Sequence, residues 1–280
     1  MKLLRFGPAG REKPGMLDSA GHVRDLSAHV SDINGDALSP EGIAKLAALD
    51  PASLPRVPDG VRRGAPVATP SKFVAIGLNY ADHAAEAGMP IPSEPIIFLK
   101  AVTSLSGPDD PVEKPRGSTK LDWEVELGVI IGSRAKYVEE ADAMTHVAGF
   151  CLANDVSERN FQIERQGQWT KGKSHDTFGP LGPWIVTKDE IADPHALSMW
   201  LDVNGERQQT GSTATMIFKL PKIISYVSRF MTLLPGDVIV TGTPPGVGSG
   251  KKPPRFLDIG DIVTLGIDGL GEQRQRIVAA

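Results

Sequence analysis

Short apolar runs, separated by glycine and proline, recur along most of the chain. This pattern favours many turns and short strands over a helical bundle. Strands are predicted over residues 2–6, 22–26, 73–77, 95–100, 123–131, 148–154, 182–187, 197–203, 238–241 and 262–267, and helices over residues 40–49, 79–88, 156–166 and 215–230. The strands do not alternate regularly with helices, so a doubly wound parallel sheet is disfavoured. The predicted fold is therefore mostly β (α+β), a folded sheet or barrel with short helices.

The same pattern divides the 280 residues into two predicted domains. Residues 1–65 form a small β-rich N-terminal domain, and residues 70–280 form a larger domain that carries the candidate chemistry. Residues 55–70 contain four prolines and two glycines, a composition that is typical of a linker.

Composition and charge exclude several classes of protein. The formal net charge of −4 and the pI near 5.9 give no basic surface for nucleic acid. No apolar run approaches the roughly 20 residues that a membrane span needs, and a glycine and a proline follow residues 1–5 too closely for a signal peptide. The single cysteine, Cys151, lies in an apolar run and is expected to be a buried packing residue. We therefore predict a cytoplasmic protein that binds neither nucleic acid nor a membrane.

Two glutamates on one predicted strand are the most informative acidic residues. Side chains alternate along a strand, so Glu124 and Glu126 share one face at a separation of about 7 Å. Residues 128–131 are apolar, which indicates that this strand is buried. Two buried carboxylates repel each other and lose hydration, so they require a cation or protonation. The alternative is that both lie on the solvated face of an edge strand.

A third carboxylate, Asp155, stands at the end of the next buried strand, where a helix is predicted to begin. Taken alone, Asp155 could be only the N-cap of that helix. Together with Glu124 and Glu126 it completes an all-oxygen set without a paired cysteine or histidine motif. Such ligands favour Mg²⁺, with Mn²⁺ or Ca²⁺ as substitutes, and disfavour zinc.

A histidine and a glutamate three residues apart offer a candidate acid–base pair. His83 and Glu86 would face the same side of the predicted helix, where their side chains can hydrogen-bond. A carboxylate beside an imidazole raises its pKa and fixes its tautomer, which suits a general base acting through water. The alternative is an exposed pair on a surface helix.

Positive charge is also needed, because three carboxylates around a divalent cation leave a net charge of about −1. Lys173 or Arg159 could supply it for an anionic substrate, although Lys173 could equally be a solvated loop lysine. The glycine-rich residues 241–252 follow a strand, but their spacing fits neither a P-loop nor a dinucleotide-binding turn. Their amides and the Thr243 side chain could still bind a carboxylate.

Six segments, in this order, resemble the fumarylacetoacetate hydrolase family. They are Asn79-Tyr80-x-x-His83-x-x-Glu86, Glu94-Pro95-x-x-Phe98-x-Lys100, Glu124-x-Glu126-Leu127, Asn154-Asp155-Val156-Ser157-x-Arg159, Lys173-Ser174-x-Asp176-Thr177 and Thr241-Gly242-Thr243-Pro244-x-Gly246-Val247-Gly248. The resemblance covers residues 70–280. It implies a mixed β-roll or barrel core around one Mg²⁺ or Mn²⁺, a small variable N-terminal domain, and usually a homodimer.

The resemblance also implies roles for individual residues. The metal-ligand positions are occupied by Glu124, Glu126 and Asp155. The catalytic positions are occupied by His83 and Glu86, a water-activating pair that many members carry on a mobile lid, and by Lys173. The substrate-binding positions are occupied by Tyr80, Arg159, Gln162 and Thr243. His175 stands where other members often carry an aromatic or apolar residue.

The predicted function is metal-dependent hydrolysis of the C3–C4 bond of a 2,4-dioxo acid, an acylpyruvate or a sugar-derived diketo acid, giving pyruvate and a second acid. The cation and Lys173 would stabilise the pyruvate enolate, and His83 would activate water for attack at C4. Enzyme alternatives that use the same enolate are an oxaloacetate decarboxylase and a hydratase or isomerase of 2-oxo acids. A non-catalytic alternative is a binding protein with a structural Ca²⁺ site, in which His83 and Lys173 would lie far from the carboxylates. Gln168, Trp169 and His175 suggest a hydroxylated substrate tail.

Overall fold

The computed structural model describes residues 1–86 and 88–280. Its strands are β1 (Lys2–Phe6), β2 (Lys13–Leu17), β3 (Val23–Asp25), β4 (Arg63–Gly64), β5 (Phe73–Gly77), β6 (Ile96–Lys100), β7 (Leu105–Ser106), β8 (Val112–Lys114), β9 (Leu121–Asp122), β10 (Val125–Ile131), β11 (Val147–Asn154), β12 (Ser157–Glu158), β13 (Gly179–Pro180), β14 (Ile185–Thr187), β15 (Ser198–Val203), β16 (Glu206–Ser212), β17 (Val238–Val240), β18 (Ile262–Ile267) and β19 (Gly271–Ala279). Its helices are α1 (Gly35–Leu38), α2 (Pro40–Ala47), α3 (Ala81–Glu86), α4 (Thr170–Lys173) and α5 (Leu220–Phe230). None of these described helices combines the length and the apolar character that a membrane crossing requires.

One large mixed sheet forms the centre of the molecule. Its strand order is β3-β2-β1-β14-β11-β10-β17-β5-β6, and β4 pairs with β1. Strands β17 and β5 run parallel, whereas β10 is antiparallel to both of its neighbours. Every residue of β10 and β11 is buried. Because both faces of these central strands are covered, their sequences are nearly continuous apolar runs.

A second sheet, in the order β16-β15-β18-β19-β8, packs against the first and contacts β10 and β11. The shared core contains Val125 and Leu127 of β10, Leu201 of β15, Leu265 of β18 and Ile224 of α5. Burial of each such side chain contributes about 1.5–3 kcal/mol relative to exposure. The strand that carries Glu126 is therefore packed against the second sheet by the face opposite this glutamate.

The mostly β fold class predicted from the sequence is confirmed. The strand predicted over residues 123–131 begins two residues later, at Val125, so Trp123 and Glu124 lie between β9 and β10. The helix predicted over residues 156–166 is wrong: Ser157–Glu158 pairs with β9, and only one π-helical turn follows, at Asn160–Glu164. Pairing with a strand distant in sequence thus overrides the local helical pattern.

Strand β19 is not predicted from the sequence because its inward-facing positions include polar residues. Gln273 and Gln275 alternate with exposed neighbours and are buried. Their side-chain amides donate to the backbone carbonyls of Leu152, at 2.9 Å, and of Pro108, at 2.6 Å. These hydrogen bonds make the burial of the two glutamines possible. Because glutamine occupies these buried positions, the sequence of β19 lacks the alternation of apolar and polar residues that predicts a strand.

The first 65 residues contribute strands to the main sheet. Strand β1 pairs with β14 in antiparallel register, with Leu3 opposite Ile185. Hydrogen bonding is therefore continuous between the N-terminal strands and those of residues 70–280, and the division of the chain into two domains stays a prediction.

Candidate active site

The three predicted metal ligands meet at one end of the two central strands. Val125 of β10 lies opposite Asn154 of β11, so the residues just beyond this pair, Glu124 and Asp155, are neighbours. The backbone N–H of Asp155 donates to the Glu124 carbonyl at 2.9 Å. One side-chain oxygen from each of Glu124, Glu126 and Asp155 lies within 4.8 Å of the other two, and all three residues are buried. The alternative of a solvated edge strand is wrong for Glu124 and Glu126.

Two cations partly balance this cluster. The Lys173 ammonium donates to Glu124 Oε2 and to Asp155 Oδ2, both at 2.7 Å. Arg159 donates to Glu124 Oε1 at 2.7 Å. Burial opposes ionisation of Glu124, but the charges of Lys173 and Arg159 outweigh it and lower the pKa of Glu124 to about 2. Burial likewise opposes the charge of Lys173, yet Asp155 and Glu124 raise its pKa. Lys173 is thus a buried member of the acidic cluster and not a solvated loop lysine.

Glu126 is less well compensated than its two neighbours. Among the residues that the structure describes, its one hydrogen bond is from the backbone N–H of Gly242 to Oε2, at 2.7 Å. Burial and the charges of Asp155 and Glu124 raise the pKa of Glu126 well above its ordinary value. The cluster therefore favours additional positive charge at this carboxylate, and the three hard oxygen donors fit a divalent cation.

Lys100, which received no predicted role, is the third cation of the cluster. Its ammonium donates to Asp155 Oδ1 and to the Lys173 carbonyl, both at 2.5 Å. Burial lowers the pKa of Lys100. A lysine at the end of the otherwise apolar strand β6 was the available sequence signal, because a buried lysine needs an acidic partner.

The His83–Glu86 pair lines the same cavity as the acidic cluster. His83 Nδ1 lies 3.0 Å from Glu86 Oε2, and His83 is 8% exposed, so the pair is not an exposed surface pair. The other Glu86 oxygen accepts the backbone N–H of Gly246 at 2.9 Å. The glycine-rich loop therefore fixes the glutamate, and the glutamate fixes the imidazole. This proximity contradicts the wide separation expected of a structural Ca²⁺ site in a binding protein.

Asp122 is a buried acid that, like Lys100, received no predicted role. Its carboxylate accepts the backbone N–H groups of Gly248, at 2.6 Å, and Ser249, at 3.0 Å. It also accepts Arg159 Nε at 2.8 Å. Asp122 thus joins the glycine-rich loop to the arginine that contacts Glu124. The position of Asp122, two residues before Glu124, was the available sequence signal for a role in the site. The loop residues that it contacts are 126 and 127 residues away, so the sequence did not indicate these partners.

The predicted substrate-binding residues do not all line the cavity. Arg159 and Gln162 line it, and they are joined by a hydrogen bond of 3.1 Å. Thr243 also lines it, with its hydroxyl donating to the Val125 carbonyl and accepting from Gln209. Tyr80 is fully buried and is not among the lining residues, with its hydroxyl 3.5 Å from Met199 Sδ, so a substrate contact by Tyr80 stays a prediction that this position does not favour. The motif gave the residue type but not the direction of the ring.

The cavity has a volume of about 510 Å³, far more than a pyruvate unit would fill. Its apolar wall includes Leu78, Phe98 and Trp169, and the two aromatic rings pack edge to face. Leu78 adopts a positive φ of 50°, an uncommon conformation for a bulky residue, directly at the cavity wall. Of the residues that suggested a hydroxylated tail, Trp169 lines the cavity, whereas Gln168 and His175 are not among its lining residues.

Buried acids that share a cavity with a hydrogen-bonded histidine are typical of metal-dependent enzymes. Comparison with known proteins identifies the particular group: the family described as Fumarylacetoacetate (FAA) hydrolase C-terminal matches residues 72–278. The chain is an enzyme that belongs to the fumarylacetoacetate hydrolase family, as the sequence motifs indicated.

Similar proteins cover the whole chain. A protein of Burkholderia orbicola, named in general terms as a hydrolase, is 61% identical over 99% of this chain and 98% of its own. The structure of a fumarylacetoacetate hydrolase from Exiguobacterium antarcticum is 36% identical, with a TM-score of 0.86 and complete coverage of both chains. A maleylpyruvate hydrolase from a Sphingobium species, solved with manganese(II) and pyruvate, is 31% identical, with a TM-score of 0.83 and complete coverage of both chains.

Proposed function

We propose that this enzyme hydrolyses the C3–C4 bond of a 2,4-dioxo acid to give pyruvate and a second acid, with Mg²⁺ as the natural cation and Mn²⁺ or Ca²⁺ as substitutes. The observation that carries the proposal is the placement of the acidic cluster and the His83–Glu86 pair on one cavity. The similar maleylpyruvate hydrolase, which binds manganese and pyruvate, supports it.

Glu124, Glu126 and Asp155 would hold the cation. When bound, a divalent cation acts as a Lewis acid that polarises the keto oxygen of a 2-oxo acid and stabilises negative charge as it develops there. The Lys173 ammonium lies directly beside two of these carboxylates. Lys173 would bind and orient the carboxylate or keto oxygen of the substrate, and its fixed charge would further stabilise the enolate.

His83 would remove a proton from the attacking water. In the tautomer that leaves Nε2 free as the base, His83 Nδ1–H donates a hydrogen bond to Glu86 Oε2, and the backbone N–H of Gly246 donates to the other glutamate oxygen. The water oxygen would form a bond to C4, and the C3–C4 bond would then break with its electron pair on C3. The proton that His83 removed from water would then be transferred to C3 to give pyruvate, and the C4 fragment would leave as a carboxylic acid.

Arg159 and Gln162, which also line the cavity, would position the substrate. Their side chains are joined to each other, and Arg159 is fixed further by Asp122 and Glu124. Because these two side chains are already hydrogen-bonded, they need little rearrangement when the substrate binds. This favours a bound geometry that is close to the one required for attack.

The test is to supply an acylpyruvate with Mg²⁺ and follow the loss of its ultraviolet absorbance together with pyruvate formation. EDTA and Glu126→Gln should each abolish activity, whereas Glu139→Gln, an exposed control, should not. Activity that survives both treatments would contradict the metal assignment. Decarboxylation of oxaloacetate with no hydrolysis of any acylpyruvate would show that the same site serves the decarboxylase alternative.

A further inference from the structure

The cavity has two cations that the acidic cluster does not engage. Its lining includes Arg159, Lys173, Lys251 and Lys252. The first two are paired with buried carboxylates. Among the described residues, neither Lys251 nor Lys252 forms an ion pair, although the nearby Arg255 pairs with Glu206. Lys251 and Lys252 are therefore the lining cations whose charge is available to pair with a ligand.

The glycine-rich loop sets the position of the two lysines relative to the chemistry. Gly242 donates its backbone N–H to Glu126, and Gly246, four residues later, donates to Glu86. Gly250 lies against the Glu86 carboxyl group, since a Cβ added there would be 2.5 Å from Glu86 Cδ. The loop thus passes first the acidic cluster, then the His–Glu pair, and then presents Lys251 and Lys252.

The loop is also fixed, which is required if its lysines are to recognise a ligand. Asp122 accepts the backbone N–H groups of Gly248 and Ser249, and the Lys251 N–H donates to the Gly248 carbonyl at 3.3 Å. Lys251 is half-buried and Lys252 is exposed. Both can therefore direct an ammonium group into the outer cavity while their backbone stays in place.

We propose that Lys251 and Lys252 form a subsite for a carboxylate at the far end of the substrate, so that the preferred substrates are dicarboxylic 2,4-dioxo acids. This inference rests on the proposed function, which places the 2-oxo acid end at the acidic cluster and C4 beside His83. The chain beyond C4 would then extend past Glu86 toward the two lysines, within the cavity that Glu86, Lys251 and Lys252 all line.

The experiment compares two inert ligands of equal length, 2-oxoheptanedioate and 2-oxoheptanoate, which lack the second carbonyl and cannot be cleaved. Their affinities are measured by calorimetric titration of the full chain with Mn²⁺. Two partly exposed ion pairs should make the dioate bind about fivefold to thirtyfold more tightly. In a K251Q/K252Q variant this ratio should fall to about one.

A matched control separates a subsite from general attraction by surface charge. Lys45 and Lys136 are exposed and do not line the cavity, so K45Q/K136Q removes the same charge elsewhere and should keep the wild-type ratio. Equal affinities in the wild type, a ratio that survives in K251Q/K252Q, or a ratio lost equally in the control would each overturn the proposal.

Hydrolysis assays distinguish failure of the proposed subsite from failure of the proposed hydrolase function. The cleavable pair is 2,4-dioxoheptanedioate and 2,4-dioxoheptanoate. If both are hydrolysed while the inert ligands bind equally, the hydrolase stands and the subsite is wrong. If neither is hydrolysed while the dioate preference depends on Lys251 and Lys252, the subsite stands and the hydrolase proposal is wrong.

Discussion

Asp122 and Arg159 form a buried ion pair, with Asp122 Oδ2 2.8 Å from Arg159 Nε, at the junction of two parts of the active site. The same carboxylate holds the loop amides of Gly248 and Ser249, and the same guanidinium donates to Glu124. A change at Asp122 should therefore affect the loop and the acidic cluster together.

Asp122→Asn tests this connection, because it keeps the shape of the side chain but replaces an acceptor oxygen with a donor. At least one buried N–H group then loses its acceptor, at a cost of roughly 1–3 kcal/mol in the free energy of unfolding. We expect a lower Tm and a decrease of about tenfold or more in kcat/KM. Asp268→Asn, at an exposed position, is the control. An unchanged kcat/KM would show that Asp122 has only a structural role.

His83→Ala tests the assignment of the general base. Loss of a positioned base typically lowers the rate about 10²- to 10⁴-fold, so kcat for acylpyruvate hydrolysis should fall by that amount. Affinity for Mn²⁺, measured by calorimetry, should stay within about twofold because His83 is not a ligand. Any oxaloacetate decarboxylation should be spared, since that reaction needs no attacking water. His29→Ala, at an exposed position, is the control, and unimpaired hydrolysis in His83→Ala would refute the assignment.

Gly250→Ala tests how closely the loop and the His–Glu pair must fit. The added methyl group would meet the Glu86 carboxyl at 2.5 Å and displace it from His83. A misplaced catalytic group can reduce turnover by about 10- to 100-fold, and we expect kcat to fall within that range. Metal affinity and Tm, measured on the same sample, should change little. A wild-type kcat would mean that α3 shifts without disturbing the imidazole.

His195 predicts a pH dependence of stability that is separate from catalysis. Its Nε2 accepts the backbone N–H of Leu220 at the start of α5. Burial and the nearby charge of Lys219 lower its pKa from 6.5, while Asp193 opposes this shift. The unfolded chain then binds the proton more readily, so the stabilisation is complete above pH 6.5 and is lost as the pH falls through the lower pKa of the folded state.

The measurement is Tm between pH 7.5 and pH 5 for the wild type and for His195→Gln, whose amide oxygen can accept from Leu220 without titrating. The wild type should lose more Tm over this interval than the variant. Parallel curves would show that protonation of His195 does not destabilise the fold.

The acidic cluster could be predicted because its members occupy regular positions in the sequence. Alternation along one strand placed Glu124 and Glu126 on one face, and the end of the next strand supplied Asp155. Lys100 and Asp122 were missed because their contacts are made across 55 and 126 residues, respectively, and no local pattern encodes these distances. The homodimer and the cytoplasmic location stay predictions.

Tyr80 and the region after Asp155 show the opposite limit of sequence reasoning. A motif preserves the type of a residue, but the tertiary fold decides which way its side chain points, and the Tyr80 ring is buried in the core. Likewise, residues 156–166 have a helical pattern, yet pairing of Ser157 with Asp122 converts the first part into a strand.

Strand β1 covers an edge of β14 that would otherwise be open to other chains. The family match begins at residue 72, but a fragment cut there would lose the hydrogen-bonding partners of Ile185 and Val186. Uncovered N–H and C=O groups beside an apolar surface attract strands from neighbouring molecules. Residues 1–65 contribute no side chain to the catalytic cavity, but we expect a fragment without them to aggregate more readily than the full chain.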